Sequence, residues 1–106
     1  MAADAYDPEA YVEAVLSLVE QIPPGRVMSY GAIAEYLYPR FGRGSARRVG
    51  TIMALHGGPV PWHRVVTGGG RTPPGHELEA RRRLEAEGVT FKGRRIRMAA
   101  YAWWPE

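Results

Sequence analysis

The sequence predicts a mostly α fold with a small terminal β-hairpin, built around a helix-turn-helix. Three observations carry this expectation. Apolar residues recur at helical spacing after Asp7; two short helix signals flank a basic, glycine-rich loop at 40–44; and a strand-like run folds about a glycine near the C-terminus. A chain of 106 residues is long enough for one compact domain and short for two, so residues 1–106 are read as a single unit.

The first helix opens at Asp7-Pro8-Glu9, an N-cap followed by a proline at the first helical position and an early acid. Tyr11, Val12, Val15, Leu16 and Val19 form its apolar face, and Ile22-Pro23-Pro24-Gly25 ends it. Residues 26–28 read as a short link. Ser29 caps a second helix with Ile33, Ala34 and Leu37 turned inward, expected to stop before Pro39. Ser45 caps a third, running to about His56. On it, Val49, Ile52, Met53 and His56 are expected to face the core. Arg47, Gly50, Thr51 and Ala54 then form an outward stripe of one long base and small side chains. Two short helices joined by a turn, the second opening with arginines, make the helix-turn-helix.

Beyond it, residues 60–66 are an apolar-flanked segment shaped by Pro59 and Pro61, and 67–75 form a loop. A fourth helix is expected over about 76–87, exposing Arg81, Arg82 and Arg83 around Leu78 and Leu84. Val89–Ile96 supplies the hairpin, giving a winged-helix-like order of elements. The aromatic tail Tyr101-Ala102-Trp103-Trp104 is expected to pack back onto the body.

Charge is divided along the chain. Residues 1–25 carry five acids and no base; residues 26–106 carry fourteen bases, thirteen of them arginine, against six acids. A basic body suits a polyanionic partner, but arginine-rich surfaces also arise from GC-rich coding, and charge alone does not separate the two. Arg47 and Arg48 sit in a first helical turn, where the helix dipole disfavours a cation by about 0.3–1 kcal/mol each. A nearby phosphate would reverse that cost; solvent is the plainer alternative.

Several chemistries are excluded or weak. With no cysteine there is no thiol nucleophile, thiolate metal site or disulfide. His56, His63 and His76 have no metal-ligand spacing, and Ser17, Ser29 and Ser45 lie in no nucleophile elbow. No metal and no cofactor are expected. No apolar run reaches the roughly 20 residues of a membrane span, and the acidic start MAADAYDPEAY gives no export signal, which points to the cytoplasm. The central pair is Trp62-His63: the tryptophan reads as core, as a stacking wall for a base, or as both.

The ordered series GRVMSYGAIAEYL, SARRVGTIMALHGG, VPWHRVV and RRRLEAEGV, covering about residues 9–104, resembles the alkyltransferase-like proteins. These are the cysteine-less relatives of O6-alkylguanine-DNA alkyltransferase. In the repair enzymes the central motif is PCHRV; here it is Pro61-Trp62-His63-Arg64-Val65. The resemblance implies a DNA-binding domain whose third helix enters the minor groove, with Arg47 filling the gap left by a flipped nucleotide. It also implies that Tyr30 contacts the target phosphate and that Trp62 lines the lesion pocket. His63 and Glu87 match the pair that activates the thiol in the enzymes, and without a thiol they become pocket structure or lesion contacts. Ser45, Arg48, Gly50, Thr51, Arg64 and Arg71 complete the expected DNA and lesion contacts, with Pro61, Val65 and Glu87 supporting the pocket.

One departure stands out. The family's loop tyrosine after PCHRV is missing from Gly68-Gly69-Gly70-Arg71-Thr72-Pro73-Pro74-Gly75, which implies a wall open to larger adducts. The expected function is non-enzymatic recognition of O6-alkylguanine in double-stranded DNA by a monomer that marks the lesion for a nucleotide excision repair protein. A general helix-turn-helix module without lesion specificity is the alternative, and an alkyltransferase with an unconventional acceptor a third.

Overall fold

The computed structural model describes residues 6–106, so the reading of the acidic start lies in part outside the described residues. Helix α1 spans Pro8–Gln21, and the Glu9 amide donates to the Asp7 carboxylate at 3.1 Å as the capping signal required. Strand β1 is Met28–Ser29, α2 is Tyr30–Phe41 and α3 is Ala46–His56. A 3-10 turn at Trp62–Arg64 leads into strand β2, Val65–Val66. Helix α4 is Glu77–Ala86, the hairpin strands β3 and β4 are Phe91–Lys92 and Arg95–Ile96, and a short α5 covers Met98–Tyr101.

The mostly helical fold with its terminal antiparallel hairpin matches the expectation, and three local readings change. The link at 26–28 carries strand structure: β1 pairs in parallel with β2, Met28 opposite Val65 and Ser29 opposite Val66. Helix α2 does not stop before Pro39 but runs on to Phe41, closed by left-handed Gly42, whose amide donates to the Tyr38 carbonyl. Burying Phe41 edge-on against Tyr11, with ring centroids 5.0 Å apart, explains the extension. That burial is worth about 1.5–3 kcal/mol, of the same order as the roughly 3 kcal/mol that a proline inside a helix costs. His56 is exposed, because α3 ends there and buried Gly57 takes the next inward position.

The strand pair divides the interior. Alternation along each strand sends Met28 and Val65 into a main core with Tyr11, Val15, Leu18 and Val19 of α1, Ile33, Leu37 and Phe41 of α2, and Val49, Ile52 and Met53 of α3. Their neighbours Val27 and Val66 turn the other way, into a smaller core with Leu84, Val89 and Ile96. The tail returns as expected. Ala102 bridges Val27, the Trp103 amide donates to the Val27 carbonyl at 2.8 Å, and Trp104 meets Tyr36 edge-on.

The loop at 67–75 contains no helix or strand, yet it is fixed to the hairpin. The Ile96 amide donates to the Gly70 carbonyl at 2.9 Å, with Gly70 at φ +88° and the Ile96 carbonyl where a β-carbon would stand. Gly70→Ala is therefore expected to destabilise the protein by at least about 1–3 kcal/mol, from the backbone conformation alone. Urea unfolding of the two proteins checks this.

Candidate nucleic-acid interface

A cavity of about 930 Å³ opens between the start of α2, the outward face of α3, Trp62 and the 67–76 loop. Ser29, Tyr30 and Gly31 form one side and Arg47, Gly50, Met53 and Ala54 the next. Gly57 and Gly58 form its floor beside Trp62, and Thr67, Gly68, Pro73, Pro74 and His76 close the circuit. Small residues keep this space open. A β-carbon at Gly50 would stand 3.9 Å from the Tyr30 ring, so any longer side chain there would reach into the cavity.

Tyr30 is half-buried, and desolvation raises its pKa above the ordinary 10.0. Its hydroxyl thus stays protonated at neutral pH, a hydrogen-bond donor rather than a nucleophile. Arg47 is exposed at the cavity edge. The neighbouring Arg48 diverges: it is half-buried, its Nε has no partner among the described residues, and its charge acts on buried Tyr11. Burial pushes the Tyr11 hydroxyl up, Tyr6 adds to that, and Arg48 opposes both.

Trp62 serves as both wall and core. One side lines the cavity and the rest packs against the main core. The Arg83 guanidinium lies 5.2 Å from the indole centroid, and the His76 ring meets it at 5.5 Å. Arg83 is itself held by Glu79, Nε to Oε2 at 2.8 Å. A cation over an indole face contributes about 0.5–1 kcal/mol when exposed and more when desolvated.

Behind Trp62, His63 is only 6% exposed and is absent from the cavity lining. Its Nε2 lies 2.8 Å from Glu87 Oε2, while Nδ1 has no partner among the described residues. Facing a carboxylate, Nε2 carries the proton. Arg64 turns inward too. It donates through Nε and Nη2 to Glu87, the shorter contact 2.7 Å, and through Nη1 to the Ile22 carbonyl at 2.9 Å. Glu87 also accepts from the Gly25 amide at 2.9 Å. Burial alone would raise the Glu87 pKa, but the hydrogen bonds from Arg64, Gly25 and His63 outweigh it and hold the carboxyl at about 2.

The geometry thus brings together Tyr30, Arg47, Gly50 and Trp62 of the expected contacts and sets others apart. His63 and Arg64, read as lesion or DNA contacts, are instead partners of Glu87, the histidine buried and the arginine half-buried. Ser45 caps α3 by accepting from the Arg48 amide at 3.1 Å. The Thr51 hydroxyl donates to the Arg47 carbonyl within the helix at 3.2 Å, and Arg71 is exposed on the loop outside the lining. Pro61 precedes Trp62 half-buried, and Val65 is buried in β2. The arginines of α4 spend their charge locally: Arg81 pairs with Glu85, and Arg82 and Arg83 with Glu79. Sequence reasoning missed Arg83 and His76 as neighbours of Trp62, since no spacing rule links a loop and a helix 14 and 21 residues away.

Residues 10–89 match the family model of the 6-O-methylguanine DNA methyltransferase DNA-binding domain. Alkyltransferase-like protein 1 of Schizosaccharomyces pombe is 38% identical over 103 residues, covering 86% of this chain and 92% of that protein. The chain belongs to the alkyltransferase-like family. The DNA base-flipping protein of Vibrio parahaemolyticus is 30% identical, covering 92% of this alkyltransferase-like chain and 99% of the relative. The crystal structure of S. pombe Atl1 in complex with damaged DNA containing O6-carboxymethylguanine superposes with a TM-score of 0.77 at 32% identity, covering 93% of this chain and 99% of that one.

Two outcomes follow from the site's interior. The Glu87 carboxyl has a depressed folded pKa, so its stabilisation is complete above the unfolded value of 4.5 and is lost as pH falls through about 2. Acid titration of stability should show this loss, on the order of 3 kcal/mol, and Glu87→Gln should be less stable at pH 7 and flatter over that window. Replacing Arg83 with leucine should change Trp62 fluorescence and its quenching while moving the unfolding midpoint by about 1 kcal/mol or less.

Proposed function

We propose that this protein recognises O6-alkylguanine in duplex DNA by rotating the damaged nucleotide into the Trp62 cavity, without transferring the alkyl group. The observation that carries the reading is the cavity itself. An indole stands in the central motif at the position where the related enzymes carry the acceptor cysteine, with Arg47 at the edge and Tyr30 on the adjoining side. Its structural relatives, S. pombe Atl1 on damaged DNA containing O6-carboxymethylguanine and the S. pombe protein on DNA, support it, as do relatives named for base flipping.

In this reading α3 lies in the minor groove, where its Ala46, Gly50 and Ala54 stripe permits close approach. Extruding a nucleotide costs a few kcal/mol, least at a weakened pair. Arg47 occupies the emptied stack, Tyr30 donates to the target phosphate, and Trp62 stacks on the base for about 1–3 kcal/mol. Neither Tyr30, kept protonated by burial, nor any thiol offers an activated acceptor for the alkyl group. The protein then acts as a monomer that holds the lesion on display for nucleotide excision repair.

Binding to matched duplexes containing guanine or O6-methylguanine tests the proposal at fixed salt. Tighter binding to the lesion is expected; equal affinities would leave only a general DNA-binding module. Trp62→Ala should weaken lesion binding by roughly 10-fold or more, in line with the loss of one stacked base, and weaken guanine-duplex binding far less. Intact-protein mass after incubation with lesion DNA should show no added alkyl group, and an adduct would restore the enzyme reading.

A further inference from the structure

The hairpin holds a set of cations that the lesion site does not use. Residues 92–97 contain Lys92, Arg94, Arg95 and Arg97 and no acid. Among the described residues, none of the four has a carboxylate within ion-pair distance, in contrast to the arginines of α4. The antiparallel register sets Lys92 directly opposite Arg95, on the face away from buried Ile96. Like charges so placed oppose hairpin formation, and Arg94 adds a third cation in the turn. The ribbon is held from behind: Arg81 lies 4.5 Å over the Phe91 ring and donates to the Gly93 carbonyl at 2.8 Å.

This cationic edge is joined to the cavity wall. Gly70, which accepts from the Ile96 amide, lies two residues beyond Gly68 of the lining. Arg95 also reaches the Gly69 carbonyl, Nη1 to oxygen at 3.4 Å. At the turn, the charge of Arg94 acts on Glu77, the residue next to His76 of the lining. An anion spanning this edge would relieve the Lys92–Arg95 repulsion and would lie beside the cavity mouth.

We infer that the hairpin is a second DNA-contacting element, its Lys92, Arg94 and Arg95 face lying on the phosphate backbone next to the lesion cavity. The inference rests on the duplex-binding reading above. Phosphate contacts carry no sequence information and set register and orientation.

The full-length chain, the Lys92→Gln/Arg94→Gln/Arg95→Gln variant and the single Arg94→Gln variant are compared by fluorescence anisotropy. Guanine and O6-methylguanine duplexes are titrated across a salt series. Each lost phosphate contact lowers the slope of log affinity against log salt by about 0.9. The triple variant should therefore lose about 2–3 in slope and the single variant about 1, with the lesion-to-guanine affinity ratio unchanged. Unchanged slopes in the folded variants, checked by their unfolding midpoints, overturn the inference. A loss confined to the lesion duplex overturns it as well, by placing the hairpin's effect inside the cavity. Should the triple variant not fold, Arg94→Gln alone decides the matter. Equal affinity of the unaltered protein for the two duplexes removes lesion recognition instead, and the slopes still decide the role of the hairpin.

Discussion

The Glu87 carboxylate is the point at which distant parts of the chain are held together. It accepts from the amide of Gly25 after α1, from the Arg64 guanidinium and from the His63 ring, while Arg64 reaches on to the Ile22 carbonyl. The end of α1, the 3-10 turn and the end of α4 thereby converge on one charged group. Burying a charge is costly unless it is paired and hydrogen-bonded, and here its hydrogen bonds overcome the desolvation that would neutralise it. Trp62 immediately precedes His63, so the position of the indole depends on this cluster. In a chain without a thiol, the histidine and acid of the motif act on geometry.

The second support for Trp62 comes from the opposite direction. Arg83 and His76 flank the indole from α4 and the preceding loop, leaving one side for the cavity. Helix α3 contributes mainly through what it lacks: between Arg47 and Met53 it presents glycine and no large side chain to the cavity. A wall of two large aromatics, Tyr30 and Trp62, among several small residues suits a flat ligand better than a compact polar one.

Much of this was legible in the sequence because the signals were local. Asp7-Pro8, Ser29 and Ser45 mark helix starts through hydrogen bonds spanning two or three residues, and the apolar periodicity of α1 to α3 reports directly on the main core. The family series then placed Tyr30, Arg47 and Trp62 on one cavity. The pairing of β1 with β2 was not legible, because each strand is two residues long and its partner lies 37 positions away. Pro39 misled for a related reason: local rules register the missing amide, whereas the burial of Phe41 against Tyr11 is a tertiary effect. Arg64 reads as a DNA or lesion contact in the sequence, because its carboxylate partner lies 23 residues downstream.

The two-residue parallel pair also sets a gauge for the cavity. Tyr30 directly follows Ser29 and Thr67 directly follows Val66, and Ser29 and Val66 are paired across the strands. Two walls of the opening are thus pegged to the two ends of a single rung, between two packed cores. That side acts as a fixed jaw. Pro73, Pro74 and His76 close the opening from a stretch with no ladder of its own.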